Sequence, residues 1–350
     1  IWRLVIRRPI EPSKGAEPTP MTREDIESRL RDAEAAGVDV AAAQDELREL
    51  ASRRESGAVH LCFFGEVSTG KSSLIKALAP DADVEIDVVG GSTTEIRRYR
   101  WTNTSGHEIR LTDVPGTGGH EEELDTLALE EARRAHVVLF VCEGDLSRAE
   151  SQGLRTLLGL DKPLILVMNK ADRYDVDEQA ALMHRLLMRL DDIGGDMSRD
   201  RVLAVSAGGE VDVIERSEDG SETVTRRSRP ADIGVLVVAI NRLLEDEALP
   251  LDMRRDRAVF RLAAEKLAEA EAVYRVQRSE QIISSATRKA IIGSLAAVSP
   301  GTDILIQGYI GTAMTQSLCK LYGAAPRDLF SWLLSRQSYP ARPRTRRRSA

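Results

Sequence analysis

The segment Gly65-Glu66-Val67-Ser68-Thr69-Gly70-Lys71-Ser72 carries the pattern G-x-x-x-x-G-K-S. It follows an apolar run, Val59–Phe64, and opens a stretch of helical character, Ser72–Leu78. In a strand–loop–helix setting this pattern cradles phosphates. Gly65 and Gly70 let the backbone turn tightly, so that the amides from Glu66 to Thr69 face inward. Lys71 then reaches the β- and γ-phosphates, and the Ser72 hydroxyl is a ligand for Mg²⁺. Ser73 is placed for the α-phosphate, and the helix start adds partial positive charge.

Asp113-Val114-Pro115-Gly116 ends a second apolar run, Ile109–Val114. An Asp there is expected to hold the Mg²⁺ through water, and the Gly116 amide to contact the γ-phosphate. Loss of that phosphate would release Thr117-Gly118-Gly119-His120. Asp before Pro-Gly is also a common turn, so the reading depends on its spacing after the phosphate loop. Between the two motifs lies Gly91-Ser92-Thr93-Thr94. A Thr hydroxyl here completes the Mg²⁺ shell, Thr94 first and Thr93 as fallback; a plain polar loop before a strand Glu95–Trp101 is the alternative. The expected catalytic set is therefore Lys71, Thr94 and Gly116, and the expected metal set is Ser72, Thr94 and Asp113.

Asn169-Lys170-Ala171-Asp172 follows the apolar run Leu164–Met168. A carboxylate at Asp172 can accept from both N1–H and the exocyclic amine of guanine. Adenine offers neither donor there and would leave a buried charge unpaired, at a cost of several kcal/mol. Asn169 can bind N7 and tie loops together, and the Lys170 stem can lie across the base. Ser206-Ala207, after Val202–Val205, would give a backbone N–H to the guanine O6; a simple strand-ending turn is its other reading. The implied ligands are GTP or GDP with Mg²⁺.

Short apolar runs must position these loops. They are Val59–Phe64, Ile109–Val114, Val137–Val141, Leu164–Met168 and Val202–Val205, and Glu95–Trp101 reads as one more strand. They alternate with helical segments near Ser72–Leu78, Glu121–Arg134, Leu146–Leu158, Glu178–Leu190 and Ile233–Asp246. Such alternation predicts an α/β fold, a mostly parallel sheet with helices on both faces. A polar insertion, Gly209–Arg229, alternates Val211, Val213 and Thr223, Thr225 around Asp219-Gly220 and predicts an exposed β-hairpin.

Around this domain, taken as residues 58–248, the chain of 350 residues divides further. Residues 1–20 read as a Pro-rich linker; Trp2 beside Arg3, with Arg7 and Arg8, reads either as an ordinary strand or as the cytoplasmic edge of a preceding membrane span. Ile1 in place of Met suggests that the chain begins inside a longer protein. Residues 21–57 predict an α-hairpin, capped by Thr22 and Asp25 and interrupted at Gly37, whose second helix covers Val40–Arg54. Residues 249–338 predict a helical domain: a long helix Asp252–Ile282, a segment Ala290–Val298, a Ser299-Pro300-Gly301 turn and an uncharged stretch, Ile304–Cys319. A buried helical hairpin is expected there, with a membrane-associated hairpin as the alternative. Residues 339–350 read as a disordered basic tail. Net charge −7 argues against a general nucleic-acid binder, and three separated cysteines, Cys62, Cys142 and Cys319, suit reduced thiols in the cytoplasm.

With all five motifs in order, residues Ala58–Glu247 resemble the guanine-nucleotide domain shared by Ras-like and Era-like GTPases of the TRAFAC class. The Gly65-Glu66 start, the Gly70-Lys71-Ser72-Ser73 end and the Thr93-Thr94 pair look most like the bacterial Era-like branch. Ala296-Ala297, Pro300, Asp303 and Leu321-Tyr322-Gly323 resemble the helical domain of YcjF-like bacterial GTPases. The resemblance implies a P-loop NTPase that hydrolyses GTP as a Mg²⁺-dependent switch. Thr117 stands where many Ras-like enzymes carry a water-orienting Gln, so turnover is expected to be slow without a partner or a homodimer through the switch face. Ser68 replaces the Asn that helps bind potassium in several Era-like relatives. Arg97, Arg98 and Arg100 are expected to face solvent, which leaves no assignable arginine finger. The rivals are a GTP-binding adaptor that does not hydrolyse and a membrane-associated, dynamin-like GTPase. The expected location is the cytoplasm, with membrane association through the termini or C-terminal helices at the cytoplasmic face of the inner membrane.

Overall fold

The computed structural model describes residues 21–88, 95–117, 122–194, 197–216, 222–246, 250–296 and 301–324. The expected linker, Thr93 and Thr94, Gly118–His120, the hairpin tip at Asp219-Gly220, the turn at Ser299-Pro300 and the basic tail lie outside these residues. Contacts group the chain into two compact units, one from the described parts of Ile1–Ser28 and Ala42–Ala264, the other from those of Arg29–Ala41 and Glu265–Ala350.

The first unit is built on β1 (Val59–Phe64), which pairs in parallel with both β4 (Glu108–Asp113) and β5 (Val137–Cys142). Its side chains alternate between two cores. Cys62 and Phe64 join one, Leu61 and Phe63 the other. That double burial explains why the run is apolar without a break. With β2 (Val84–Val88), β3 (Glu95–Thr102), β6 (Leu164–Met168) and β7 (Val202–Ala204), the sheet runs β2-β3-β4-β1-β5-β6-β7. Only the β2 and β3 edge is antiparallel. β2 has no apolar run to announce it, because Val84-Glu-Ile-Asp-Val88 mixes acids into an edge strand with one partner.

Helices cover both faces. α3 (Lys71–Leu78) and α7 (Gly234–Glu245) bury Leu74, Ile75, Leu236 and Ile240 on one side. On the other, α4 (Glu122–Arg134), α5 (Arg148–Leu158) and α6 (Val176–Ile193) bury Ala128, Leu154 and Leu186. Capping sets the starts that periodicity misplaced. Ser147 with Glu150 opens α5 at Arg148, two residues after the expected Leu146, and Asp175 with Glu178 opens α6 at Val176, before the expected Glu178. The insertion forms the expected hairpin, β8 (Gly209–Arg216) against β9 (Glu222–Arg229).

At the N-terminal side, α1 (Arg23–Ala35) starts as expected: the Asp25 N–H donates to Thr22 Oγ1 at 3.2 Å and the Thr22 N–H to Asp25 Oδ2 at 2.9 Å. The inward row of α2 (Ala41–Glu55) is Ala43, Glu46, Leu50 and Arg53, so it buries two charges. Arg53 donates to Glu131 of α4 at 3.0 Å, and Arg134 of α4 donates through Nε to Glu46 at 2.8 Å. Arg98 of β3 lies 3.5 Å from the same Glu131, with only 13% of its side chain exposed. Arg98 is therefore withdrawn from solvent, contrary to expectation, because a buried carboxylate faces it across the strand. Arg97 and Arg100 are exposed as expected.

In the second unit, α8 (Leu251–Ala296), which begins in the first, is one continuous helix where two segments were expected. Ser284–Ala290 contains neither Gly nor Pro, so nothing breaks it. α9 (Thr302–Leu321) follows and meets its end through a Gln307 Nε2 donation to Ser294 Oγ at 2.8 Å. The expected burial of this hairpin holds only far from its turn, at Leu318 and Cys319 of α9; near the turn Leu295 is 84% exposed, Leu305 74% and Tyr309 77%. No described helix is long and apolar enough to cross a membrane.

Candidate functional site

Four loops meet where the parallel strands end, the edge at which open α/β sheets place ligands. β1 leads to Gly65, β4 to Asp113, β6 to Asn169 and β7 to Ser206. The turn at Gly65 and Gly70 needs glycine: their φ angles are 153° and 91°. A Cβ on Gly65 would meet the Val141 carbonyl oxygen at 2.1 Å, and one on Gly70 the Asn169 Nδ2 at 2.2 Å. Ser68 also holds a positive φ, 67°, in the crown of the loop. The Thr69 hydroxyl donates to the Glu66 carbonyl at 2.9 Å and closes the turn. Val67 and Ser68 are exposed at the rim, and Glu66 is tied to the start of α5 by the Ser147 hydroxyl at 2.8 Å.

Lys71 is buried, and its Nζ donates to the carbonyls of Gly65 at 3.0 Å and Glu66 at 2.9 Å. Its ammonium thus lies inside the curl of the loop. Burial lowers its pKa, and the Asp113 carboxylate opposes that shift. Ser72, next on α3, donates to Asp113 Oδ2 at 2.5 Å. Burial raises the Asp113 pKa, while Ser72 and Lys71 pull it down. Asp113 Oδ1 is buried with no hydrogen-bond partner among the described residues. An oxygen-only pair with an unspent, desolvated carboxylate oxygen fits a hard cation such as Mg²⁺. Ser73 is exposed one residue further along the helix. Gly116 packs against the loop so closely that a Cβ would meet Val67 N and Cα at 2.6 Å, and the Thr117 N–H donates to the Gly65 carbonyl at 3.1 Å. The structure therefore brings Asp113, Gly116 and the phosphate loop together. Thr94 lies outside the described residues.

Asn169 is the clasp. Its Nδ2 donates to the Thr69 carbonyl at 2.9 Å, and its Oδ1 accepts from the Ala207 N–H at 3.1 Å. One buried amide thus joins the phosphate loop to the loop after β7. Lys170 adopts a left-handed φ of 59°, and its Nζ donates to the Ser68 carbonyl at 2.7 Å and to Glu143. Its stem therefore spans the floor between the two loops. Asp172 accepts from the Ser206 hydroxyl on Oδ1 at 2.8 Å and from Arg229 Nη1 on Oδ2 at 2.9 Å. Burial alone would raise its pKa, but Ser206 and Arg229 outweigh it and hold the carboxyl below its ordinary value. Ala207 is half-buried beside it.

Two participants lie outside every motif. Glu143, at the exit of β5, pairs with both Lys170 and Arg173. Arg229 is the last residue of the inserted hairpin. Glu143 stands at the end of an apolar run and could have been found from that position. No pattern marked Arg229.

Residues 60–170 match the family model of the 50S ribosome-binding GTPase. The fold is that of a P-loop GTPase. The matched stretch of this G domain runs from β1 through Lys170 and so contains the phosphate loop, Asp113, Gly116 and Asn169. Its relatives include the GTPase Der of Thioalkalivibrio sulfidiphilus, 30% identical over 132 residues, covering 36% of this chain and 28% of that protein. The GTPase Der of Vibrio cholerae serotype O1 is 32% identical over 130 residues, covering 35% of this chain and 26% of that protein. The chain thus spans between a quarter and about a third of the length of the curated relatives it matches. Among solved structures, the G domain of the T. maritima FeoB iron transporter aligns with 43% of this chain and 88% of its own, at 23% identity and a TM-score of 0.33.

Proposed function

We propose that this chain binds GTP and GDP with Mg²⁺ and hydrolyses GTP as a conformational switch. The observation that supports the reading is the Asn169 clasp, which ties the phosphate loop to the loop after β7, whose Ser206 donates to Asp172. In this reading the amides from Glu66 to Gly70 and the Lys71 ammonium hold the phosphates, with Lys71 exchanging two backbone carbonyls for phosphate oxygens. Ser72 and Asp113, with Thr94 as the further candidate, would hold the metal, which when bound would neutralise charge on the transferring phosphate. Asp172 reads guanine, Lys170 lies along the base, and the Ala207 amide, which donates to Asn169 Oδ1 in this structure, would turn to the guanine O6. Gly116 would report the γ-phosphate through its amide, at a place where its Cα lies so close to the phosphate loop that a Cβ would meet the Val67 backbone at 2.6 Å.

Thr117 carries no amide or carboxylate to orient water, so we infer slow intrinsic turnover that a second copy, docking on the switch face, accelerates. The finer assignments, to the Era-like branch and to a YcjF-like helical domain, rest on the motif residues alone. The exposed apolar side chains at the end of α8 and the start of α9 favour one further reading, contact with a membrane surface without spanning it. Liposome flotation of the chain with and without residues 282–350 tests that reading. Hydrolysis itself is tested by single-turnover assays with Mg²⁺ over a range of protein concentrations, with Lys71→Ala as the control. Cleavage that rises with concentration and vanishes in the control is expected. No cleavage at any concentration, with GTP still bound, would make the chain an adaptor.

A further inference from the structure

Asp172 is the residue that chooses the base, and in this chain it does not stand alone. Arg229 Nη1 donates to Asp172 Oδ2 at 2.9 Å and to the Asp172 backbone carbonyl at 3.1 Å. One nitrogen thereby fixes the carboxylate relative to its own main chain. We propose that Arg229, on the inserted β8–β9 hairpin, is a positioning residue for guanine recognition and makes the hairpin part of the base subsite.

Counting acceptors supports shared use over competition. An ionised carboxylate offers about four lone-pair sites. Ser206 takes one on Oδ1 and Arg229 one on Oδ2, which leaves one on each oxygen. Guanine presents two adjacent donors, N1–H and its amine, and needs one acceptor on each oxygen. A carboxylate already braced on its outer side loses less freedom when the base arrives, which is what preorganisation contributes to affinity.

The fold holds Arg229 in place for this task. Gly209 and Arg229 are the first paired residues of the hairpin. Below them, the Ser206 N–H donates to the Asp232 carbonyl at 3.0 Å, and the Asp232 N–H to the Ser206 carbonyl at 2.8 Å, closing the base of the insertion. Gly208 has φ 68°, and a Cβ there would meet the Arg229 carbonyl oxygen at 2.6 Å. The backbone of Arg229 is thus pressed against the same loop that carries Ser206 and Ala207. Because the hairpin and the base share this contact, anything that ties up the hairpin must change guanine affinity, and guanine must in turn steady the hairpin.

This inference rests on the guanine-nucleotide reading above, and the test separates the two. GDP binding is measured by calorimetry on the full chain and on Arg229→Ala, Arg229→Lys and Asp172→Asn, the last with XDP. The ion pair is half-exposed, so its loss is expected to weaken GDP about fivefold, the upper range for such pairs. Arg229→Lys should recover most of the loss. In the Asp172→Asn background, where no charge remains to brace, adding Arg229→Ala should leave XDP affinity unchanged. Amide exchange at the base of the hairpin should slow on GDP addition in the wild type and not in Arg229→Ala. GDP binding by the wild type with unchanged affinity in Arg229→Ala overturns the inference alone, as does tighter binding in that variant. An equal loss in the Asp172→Asn background also overturns it. A wild type that binds no guanine nucleotide overturns the underlying reading.

Discussion

Replacing Glu131 by Gln should destabilise the G domain more than any surface change. Glu131 sits on α4, 2% exposed, with Arg134 at 2.7 Å, Arg53 at 3.0 Å and Arg98 at 3.5 Å. Burial pushes its pKa up, but Arg53, Arg134 and Arg98 together pull it down to about 2, from an ordinary 4.5. At about 1.36 kcal/mol per pKa unit, that depression corresponds to roughly 3 kcal/mol held by the ionised carboxylate at neutral pH. An independent expectation agrees: removing one partner of a buried ion pair costs about 3–5 kcal/mol, because the cations left behind cannot reach water. A glutamine amide in its place would retain the shape and forfeit the charge. The assay is urea unfolding of the full chain at pH 7 by far-UV circular dichroism, scoring the transition that GDP shifts and that therefore reports the nucleotide unit. The folded-state pKa is depressed, so the contribution is fully present above about pH 4.5 and is lost as pH falls through about 2. The gap between wild type and variant should accordingly hold from about pH 7 to about pH 5 and narrow below that. A gap under about 1 kcal/mol at pH 7, or one that already closes between pH 7 and pH 6, would refute the assignment of Glu131 as the anchor between α2, α4 and β3.

Two further outcomes follow from the pocket. Asp172→Asn removes two charge-assisted acceptors, so GDP affinity should fall by about 100-fold while XDP, with an oxygen in place of the amine, gains; competitive binding of the two nucleotides checks this, and undiminished preference for GDP would discard the base-reading role. Gly116→Ala drives a methyl into the Val67 backbone, 2.6 Å away, so the variant should lose about 1–3 kcal/mol of stability and its response to the γ-phosphate while keeping GDP. Comparing GDP with a non-hydrolysable GTP analogue by calorimetry reads that split, and equal tightening by both in the variant and the wild type would count against the sensor role.

The phosphate loop, the Asp113 and Gly116 segment, the Asn169–Asp172 motif and most of the sheet were legible in the residues alone. Each of these depends on a few adjacent residues: a glycine-bordered turn needs only its own backbone, and a strand buried on both faces announces itself as an unbroken apolar run. Elsewhere the local pattern is weak or misleading. β2 mixes charge with β-branched residues on an edge, and the α8 segments seemed separate only because the polar stretch between them lacks apolar periodicity. Thr94 remains an expectation from its motif.

What the sequence determined by itself, then, was the chemistry available at each strand end and the order in which the ends occur. Tertiary structure alone decided which distant charges meet: Arg229 with Asp172, 57 residues apart in the chain, and Arg53 with Glu131, 78 apart. The physical reason is that a charged side chain has no intrinsic place in a fold. Glu46, Arg53, Arg98 and Glu131 read as a solvated surface until helices and strands dock around them, and only the complementary charge brought by another element makes their burial tolerable. The converse holds for Leu295, Leu305 and Tyr309, which are apolar by sequence and yet exposed, because burial depends on what packs against a face and not on the face itself.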